Sequence, residues 1–88
     1  MQLPLIHLNG TSKASLLEEA GDCYLAIVHA LDKVVSRPPH SRDYYPLSPE
    51  AWTAAQAEHQ DRVMRLHAIG QEFEALCEGI TKGGHFQK

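Results

Sequence analysis

The chain has 88 residues, of which 43% are hydrophobic and 7% aromatic, and a formal net charge of −3, which fits one small domain at most. Its 8 Lys and Arg against 11 Asp and Glu argue against a nucleic-acid binder, which needs a basic excess. No apolar run approaches the roughly 20 residues of a membrane span, and the N-terminal residues lack the pattern of a signal peptide. We therefore expect an intracellular protein.

An apolar arm, residues 1–11, leads into a helix predicted over residues 12–36. Thr11 or Ser12 is suited to cap this helix, because a hydroxyl oxygen there accepts a hydrogen bond from a free N–H group of the first turn. Apolar residues then recur at alternating steps of three and four, which predicts a helix with one buried face. That face comprises Leu17, Ala20, Tyr24, Ile27, Leu31 and Val34.

A proline-containing loop over residues 37–47 precedes a longer helix predicted over residues 48–80, and residues 81–88 are expected to form a flexible tail. Ser48 is a natural N-cap and Pro49 suits the first helical position. The second helix carries a heptad-like apolar stripe with two polar interruptions. This stripe comprises Trp52, Ala55, His59, Arg62, Leu66, Ile69, Phe73, Leu76 and Ile80.

Two amphipathic helices joined by a short loop predict an all-α fold, an antiparallel two-helix hairpin. Counting outward from the loop pairs Val34 with Trp52 and Tyr24 with Arg62. The intermediate pairs are Leu31 with Ala55 and Ile27 with His59, followed by Ala20 with Leu66 and Leu17 with Ile69. The second helix then extends beyond the first, and its distal apolar residues are left for the arm to cover with Leu3, Leu5, Ile6 and Leu8.

A two-helix hairpin buries little apolar surface compared with the entropy lost on folding. We therefore expect a homo-oligomer, most simply a dimer that forms a four-helix bundle. Whether the arm folds back on its own chain or is exchanged between copies stays open at this point.

The interhelical loop concentrates groups that bind nucleotides. An arginine holds phosphate through two parallel hydrogen bonds, and aromatic rings stack on a planar base. Arg42, Tyr44 and Tyr45 are therefore candidate ligand-binding residues. The alternative is a proline-stiffened turn in which a tyrosine packs on the end of the bundle and Asp43 pairs with Arg42.

His59 and Arg62 interrupt the apolar stripe of the second helix, where an unpaired charge is costly. Either they form the polar floor of a pocket for an anionic ligand, or the arginine reaches solvent or a local partner. Asn9 and Thr11 precede the first helix, whose free N–H groups attract anions, although ordinary capping is the alternative there. They lie at the opposite end of the hairpin from the loop, so a composite site requires a second, antiparallel copy.

Catalytic and metal-binding patterns are not found in the sequence. The histidines and cysteines lack metal-ligand spacing, and no Ser, His, Cys and Asp arrangement supports nucleophilic catalysis. Cys23 and Cys77 are expected to be reduced, small buried hydrophobes. We therefore expect no metal, no cofactor and no enzymatic activity.

Three segments, residues 6–12 (IHLNGTS), 42–46 (RDYYP) and 58–62 (EHQDR), resemble a group of short proteins encoded by tailed phages and prophages. The resemblance implies a protein that binds rather than catalyses, in the cytoplasm of an infected bacterium. One such role is to sequester a nucleotide-type immune signalling molecule in pockets between protomers, as a counter-defence sponge. The alternatives are a helical module that inhibits or adapts a host or phage protein, or a minor structural or assembly component of the phage.

Overall fold

The computed structural model of the chain describes residues 1–83, 85 and 86 and contains two long antiparallel helices, α1 (Lys13–Val35) and α2 (Pro49–Thr81). Two short strands flank them, β1 (Leu5–Ile6) and β2 (His85–Phe86). The molecule is elongated and measures 64 × 19 × 17 Å. The expected all-α helical hairpin is confirmed.

Both helices begin at a serine cap. The Oγ atom of Ser12 accepts a hydrogen bond of 3.1 Å from the N–H of Ser15, and the Oγ atom of Ser48 accepts one of 3.0 Å from the N–H of Ala51. These side chains satisfy N–H groups of the first turn that have no partner within the helix. Ser12, rather than Thr11, is therefore the cap of α1.

The arm and the chain after α2 form a two-residue parallel strand pair. Leu5 lies opposite His85, and Ile6 lies opposite Phe86. The chain is able to turn toward the arm because Gly83 adopts a φ of 106°, which residues with a Cβ rarely accept. This strand pair falls within residues 81–88, which the sequence predicts to be a flexible tail; residues 84, 87 and 88 of that tail lie outside the described residues.

The helices pack in a different register from the one predicted. A Cβ atom on Gly70 would lie 3.5 Å from Cγ2 of Ile27, and the hydroxyl of Tyr24 donates a hydrogen bond of 3.4 Å to Oε2 of Glu74. The predicted pairs of Ile27 with His59 and Tyr24 with Arg62 are therefore wrong by eleven and twelve residues, or about three helical turns.

The loop is the physical reason for this shift. It contains a 3-10 turn at Ser41–Asp43 and packs back on the start of α2, where the ring centroids of Tyr44 and Trp52 lie 5.9 Å apart. Trp52 is thus covered by the loop instead of by Val34. As a result, the first third of α2 projects beyond the end of α1.

The arm folds back on its own chain and covers the end of α2. A Cβ atom on Gly79 would lie 2.5 Å from Cδ2 of Leu3, so the arm approaches α2 closely at this glycine. Ile80 is only 1% exposed, and it is the one large side chain fully buried among the described residues. The expectation that Leu8 also covers α2 is wrong, because its side chain is 98% exposed.

The other buried side chains of the described core are small, Ala20 and Ala55. Both cysteines are free thiols, and Cys77 is half-buried. Cys23 was expected to be buried but is exposed, because it lies on the flank of α1 and not on its packed face.

Candidate functional site

A cleft of about 340 Å³ lies where the loop packs back on the first turns of α2. We name it the loop cleft; its lining residues are Pro39, Tyr44, Leu47, Ala51, Ala54, Ala55, Glu58 and Arg62. The cleft exists because the loop covers this part of α2 and because alanines leave space beneath it. It brings together Tyr44 and Arg62, two of the residues predicted to bind a ligand.

Tyr44 is held in place by the loop backbone and by an aromatic neighbour. Its N–H donates to the carbonyl of Ser41 at 3.0 Å, and its own carbonyl accepts from the N–H of Leu47 at 2.9 Å. The ring lies against Trp52 at an interplanar angle of 39°, a tilted geometry typical of favourable aromatic pairs. Tyr44 therefore both packs on α2, as the structural alternative expected, and forms a wall of the cleft.

Arg62 carries the positive charge of the cleft, and Glu58 carries a negative one beside it. The Nη2 atom of Arg62 lies 3.6 Å from Oε2 of Glu58, and the two side chains are 57% and 65% exposed. Arg62 therefore lies on the flank of α2, not in the packed stripe where the sequence placed it. Exposed pairs one turn apart contribute only about 0.3–0.5 kcal/mol, so an incoming anion can replace the carboxylate at little cost.

A second groove, of about 360 Å³, adjoins the loop cleft along α2. It is lined by Ala57, Glu58, Asp61, Arg62 and Arg65. Nε of Arg65 donates a hydrogen bond of 2.8 Å to Oδ2 of Asp61. Arg62 thus belongs to both depressions, whereas Arg65 lies outside the loop cleft.

The other predicted ligand-binding residues in the loop and on α2 do not line the cleft. Tyr45 and Arg42 are exposed, and His59 is half-buried on α2. Within the part of the chain that the structure describes, the ion pairs join Glu58 with Arg62, Asp61 with Arg65 and Glu78 with Lys82. The expected pairing of Asp43 with Arg42 is not among them.

Asn9 and Thr11 lie exposed at the other end of the hairpin. The 23 residues of α1 separate them from the loop by about 34 Å at 1.5 Å per residue. Within one chain they therefore cannot share a ligand with Tyr44 and Arg62. A composite site needs a second copy, as expected from the sequence.

Glu58 and the apolar walls of the cleft were not predicted as site residues. Glu58 stands four residues before Arg62, a spacing that places the two side chains together on a helix, and this signal was present in the sequence. The contribution of Pro39, Leu47 and Ala54 depends on how the loop folds back, and no local pattern indicates it.

Within the described residues, no helix is both long and apolar enough to cross a membrane. That same part of the chain contains no group of three or more His, Cys, Asp and Glu side chains that could hold a metal ion. Comparison of the chain with protein-family models, with curated proteins and with solved structures gives no match in any of the three.

Proposed function

We propose that the protein is a non-enzymatic binding protein that takes a nucleotide-type ligand in the loop cleft. The observation that carries this proposal is the meeting of Tyr44 and Arg62 in one cleft through the folding back of the loop. A ring and a guanidinium are the two groups that a nucleotide needs, one for its base and one for its phosphate.

Each wall of the cleft has a separate role in this proposal. Tyr44, fixed against Trp52, stacks on the base. Arg62 exchanges its contact with Glu58 for two hydrogen bonds to a phosphate. Glu58 then accepts hydrogen bonds from sugar hydroxyls, which favours a ribose-containing ligand over a simple inorganic anion.

The size of the cleft limits what one chain holds. Its volume of about 340 Å³ is near the lower end of small-molecule pockets, which start at about 300 Å³, and this suits one nucleotide unit. A cyclic dinucleotide or an ADP-ribose-type molecule extends past the cleft toward the exposed Arg42 and Tyr45. We propose that a second, antiparallel copy completes the pocket with its Asn9 and Thr11, so that the ligand lies between protomers.

The resemblance to short phage and prophage proteins supports a biological role for such binding. A small protein that captures a nucleotide immune signal in the cytoplasm of an infected bacterium prevents that signal from reaching its receptor. Sequestration needs binding alone, without catalysis. In this proposal the protein is a counter-defence sponge.

A helical interaction module is the second candidate, and a specific observation favours it. Large apolar side chains are exposed on both helices, among them Leu25, Val35 and Met64, and such groups on a helix surface are typical of protein-binding faces. This candidate predicts that a pulldown from infected cells recovers one specific protein, and that Met64→Glu abolishes its recovery while Arg62→Ala does not.

The nucleotide proposal is tested by titrating ADP-ribose, cyclic ADP-ribose and cyclic dinucleotides into the protein while following fluorescence. The single tryptophan, Trp52, packs on Tyr44 and therefore reports on the cleft. We expect saturable binding of at least one of these compounds, and a loss of about tenfold or more in affinity for Arg62→Ala, since a charge-assisted hydrogen bond contributes about 1.5–3 kcal/mol.

Arg65→Ala is the matched control, because Arg65 has the same kind of ion pair three residues further along α2 but does not line the loop cleft. We expect it to change the affinity less than twofold. Tyr44→Phe should retain stacking, whereas Tyr44→Ala should weaken binding. The proposal is wrong if none of the compounds binds, or if both arginine variants lose affinity equally.

A further inference from the structure

We infer that a second copy of this chain packs antiparallel across an uncharged face at the middle of the hairpin. We name this surface the central face; it is formed by Val28, Leu31 and Val35 of α1 and by Val63, Met64 and His67 of α2. A groove of about 500 Å³ runs along it, lined by Leu31, Val35, Val63, Met64, His67, Ala68 and Gln71.

The single chain leaves more surface in water than a compact protein of its size does. Its accessible surface is 6665 Å², whereas a compact protein of 9.8 kDa exposes about 5,200 Å². The excess of about 1,500 Å² exceeds the roughly 800 Å² that each partner contributes to a standard stable interface. One hairpin therefore leaves as much surface uncovered as a dimer needs.

Charged and uncharged side chains lie on different flanks of α2. Glu58, Asp61, Arg62 and Arg65 lie together along one flank, where they line the groove beside the loop cleft. On the other flank the residues that line the central groove are apolar side chains, an amide and an imidazole. Interface cores are depleted in charged residues and enriched in methionine, and Met64 is 61% exposed here.

The position of the central face along α2 favours a second copy as the occupant. The midpoint of α2 (Pro49–Thr81) falls at Arg65, so Met64 and His67 of the central face lie at the middle of this helix. A two-fold axis that passes through this point perpendicular to the helices makes the α2 helices of two copies overlap along their whole length. In that arrangement α2 packs antiparallel on α2, and the two copies of α1 meet at their C-terminal ends, because Val35 lies beside the middle of α2.

The exposed apolar residues at the two ends of the molecule match this arrangement. Leu8 is exposed at the arm end, and Tyr45 and Leu47 are exposed at the loop end. The antiparallel dimer sets the arm end of each copy beside the loop end of the other, so these residues become neighbours. An unrelated partner gives no reason for such complementarity between the two ends.

The same arrangement brings Asn9 and Thr11 of the second copy to the loop end, where the pocket between protomers was proposed. This consequence rests on the proposed function, whereas the dimer itself rests on the surface, the charge pattern and the position of the central face. The mass of the assembly and the binding of nucleotide are measured separately, so that failure of one proposal is distinguishable from failure of the other.

Analytical ultracentrifugation of the full chain tests the dimer. We expect a dimeric wild type, and at least a tenfold weaker dimer for Met64→Glu, because a charge would be buried in the centre of the interface. Ala26→Glu is the matched control; Ala26 is exposed on α1 away from the central face, and this variant should remain dimeric. A monomeric wild type, or equal weakening by both variants, overturns the inference.

Cysteine cross-linking tests the orientation and does not depend on a destabilising variant. In a Cys23→Ser, Cys77→Ser background, His67→Cys near the axis should form a disulfide-linked dimer on oxidation. Gln60→Cys, five residues from the midpoint of α2 at Arg65, should not, because its two copies would lie about 15 Å apart along the helix direction, beyond the roughly 7 Å that a disulfide spans. Failure of His67→Cys to cross-link, or equal cross-linking at Gln60, overturns the antiparallel arrangement.

Discussion

Glycine occupies the centre of the contact between the two helices. Gly70 is buried, and a Cβ atom there would lie 3.5 Å from Cγ2 of Ile27, an ordinary van der Waals distance. The close approach of the helices therefore leaves room for one methyl group. Ile27 is the residue of α1 that faces Gly70.

Gly70→Ala should therefore stabilise the protein. Alanine in the interior of a helix is favoured over glycine by about 0.5–1 kcal/mol, and no clash opposes the change. We expect the melting temperature, followed by circular dichroism, to rise by a few degrees. A lower melting temperature would contradict the register described here, since it would mean that the space at Gly70 is already filled.

The last turn of α2 carries an exposed ion pair that shifts the pKa of both partners. Nζ of Lys82 donates a hydrogen bond of 2.8 Å to Oε1 of Glu78. This hydrogen bond and the charge of Lys82 lower the pKa of Glu78, and the same contact raises the pKa of Lys82. The pair therefore stabilises the helix end only between the two titrations; its contribution is lost as the pH falls through the lowered pKa of Glu78 or rises through the raised pKa of Lys82.

Lys82→Gln should raise the midpoint at which Glu78 titrates in NMR, because the carboxylate loses its charged donor. Lys33→Gln, which alters a lysine in the last turn of α1, should leave that midpoint unchanged and serves as the control. An unchanged Glu78 midpoint in Lys82→Gln would show that the two side chains do not pair in solution.

The extent and capping of each helix follow from local signals, and their relative register does not. Ser12 and Ser48 start the helices where their hydroxyls cap the first turn, and the prolines stop α1 as expected. Register depends on the path of the loop, and counting from the loop assumes a tight connection. The 3-10 turn and the packing of Tyr44 on Trp52 shift the register of the two helices by about three turns.

The path of the loop, which local sequence signals do not give, also decides which predicted residues meet in the candidate site. Residue type predicts Tyr44, because an aromatic ring stacks on a base, and the interruption of the apolar stripe of the second helix predicts Arg62. Which of the loop residues would meet Arg62 depends on the backbone of the loop, and so Arg42 and Tyr45 were predicted beside Tyr44 although they do not line the cleft. The strand pair β1–β2 was not predicted either, since two residues carry no periodic signal.

The docking of the arm depends on one side chain of α2. Ile80 is the one fully buried large residue among those described, and Leu3 and Pro4 of the arm line the same depression at the end of the hairpin. Ile80→Ala should therefore cost about 2–4 kcal/mol of unfolding free energy. Ile69→Ala, at a half-exposed position of the same helix, should cost less than about 1 kcal/mol; chemical denaturation compares the two. Equal losses would show that the arm does not bury Ile80.

At the scale of the whole molecule, both proposals depend on a long hairpin that buries few large side chains and whose α2 helix has two different flanks. One flank of α2 carries Arg62 and the loop cleft, and the other is uncharged and central. The net charge of −3 is not reflected in the loop cleft, where the positive charge of Arg62 is matched by the negative charge of Glu58. In the two proposals, the ligand and the second copy bind to different flanks of α2, and the arm of the second copy lies at the loop end of the first.

Native mass spectrometry of the protein purified from bacterial cells that produce a nucleotide immune signal tests the central claim most directly, because it reports copy number and bound ligand together. We predict a dimer or a higher even assembly that carries an adduct with the mass of a nucleotide, and loss of that adduct in Arg62→Ala while the assembly persists. An assembly without any adduct in the wild type, or an adduct that Arg62→Ala retains, would contradict the claim that the loop cleft binds a nucleotide.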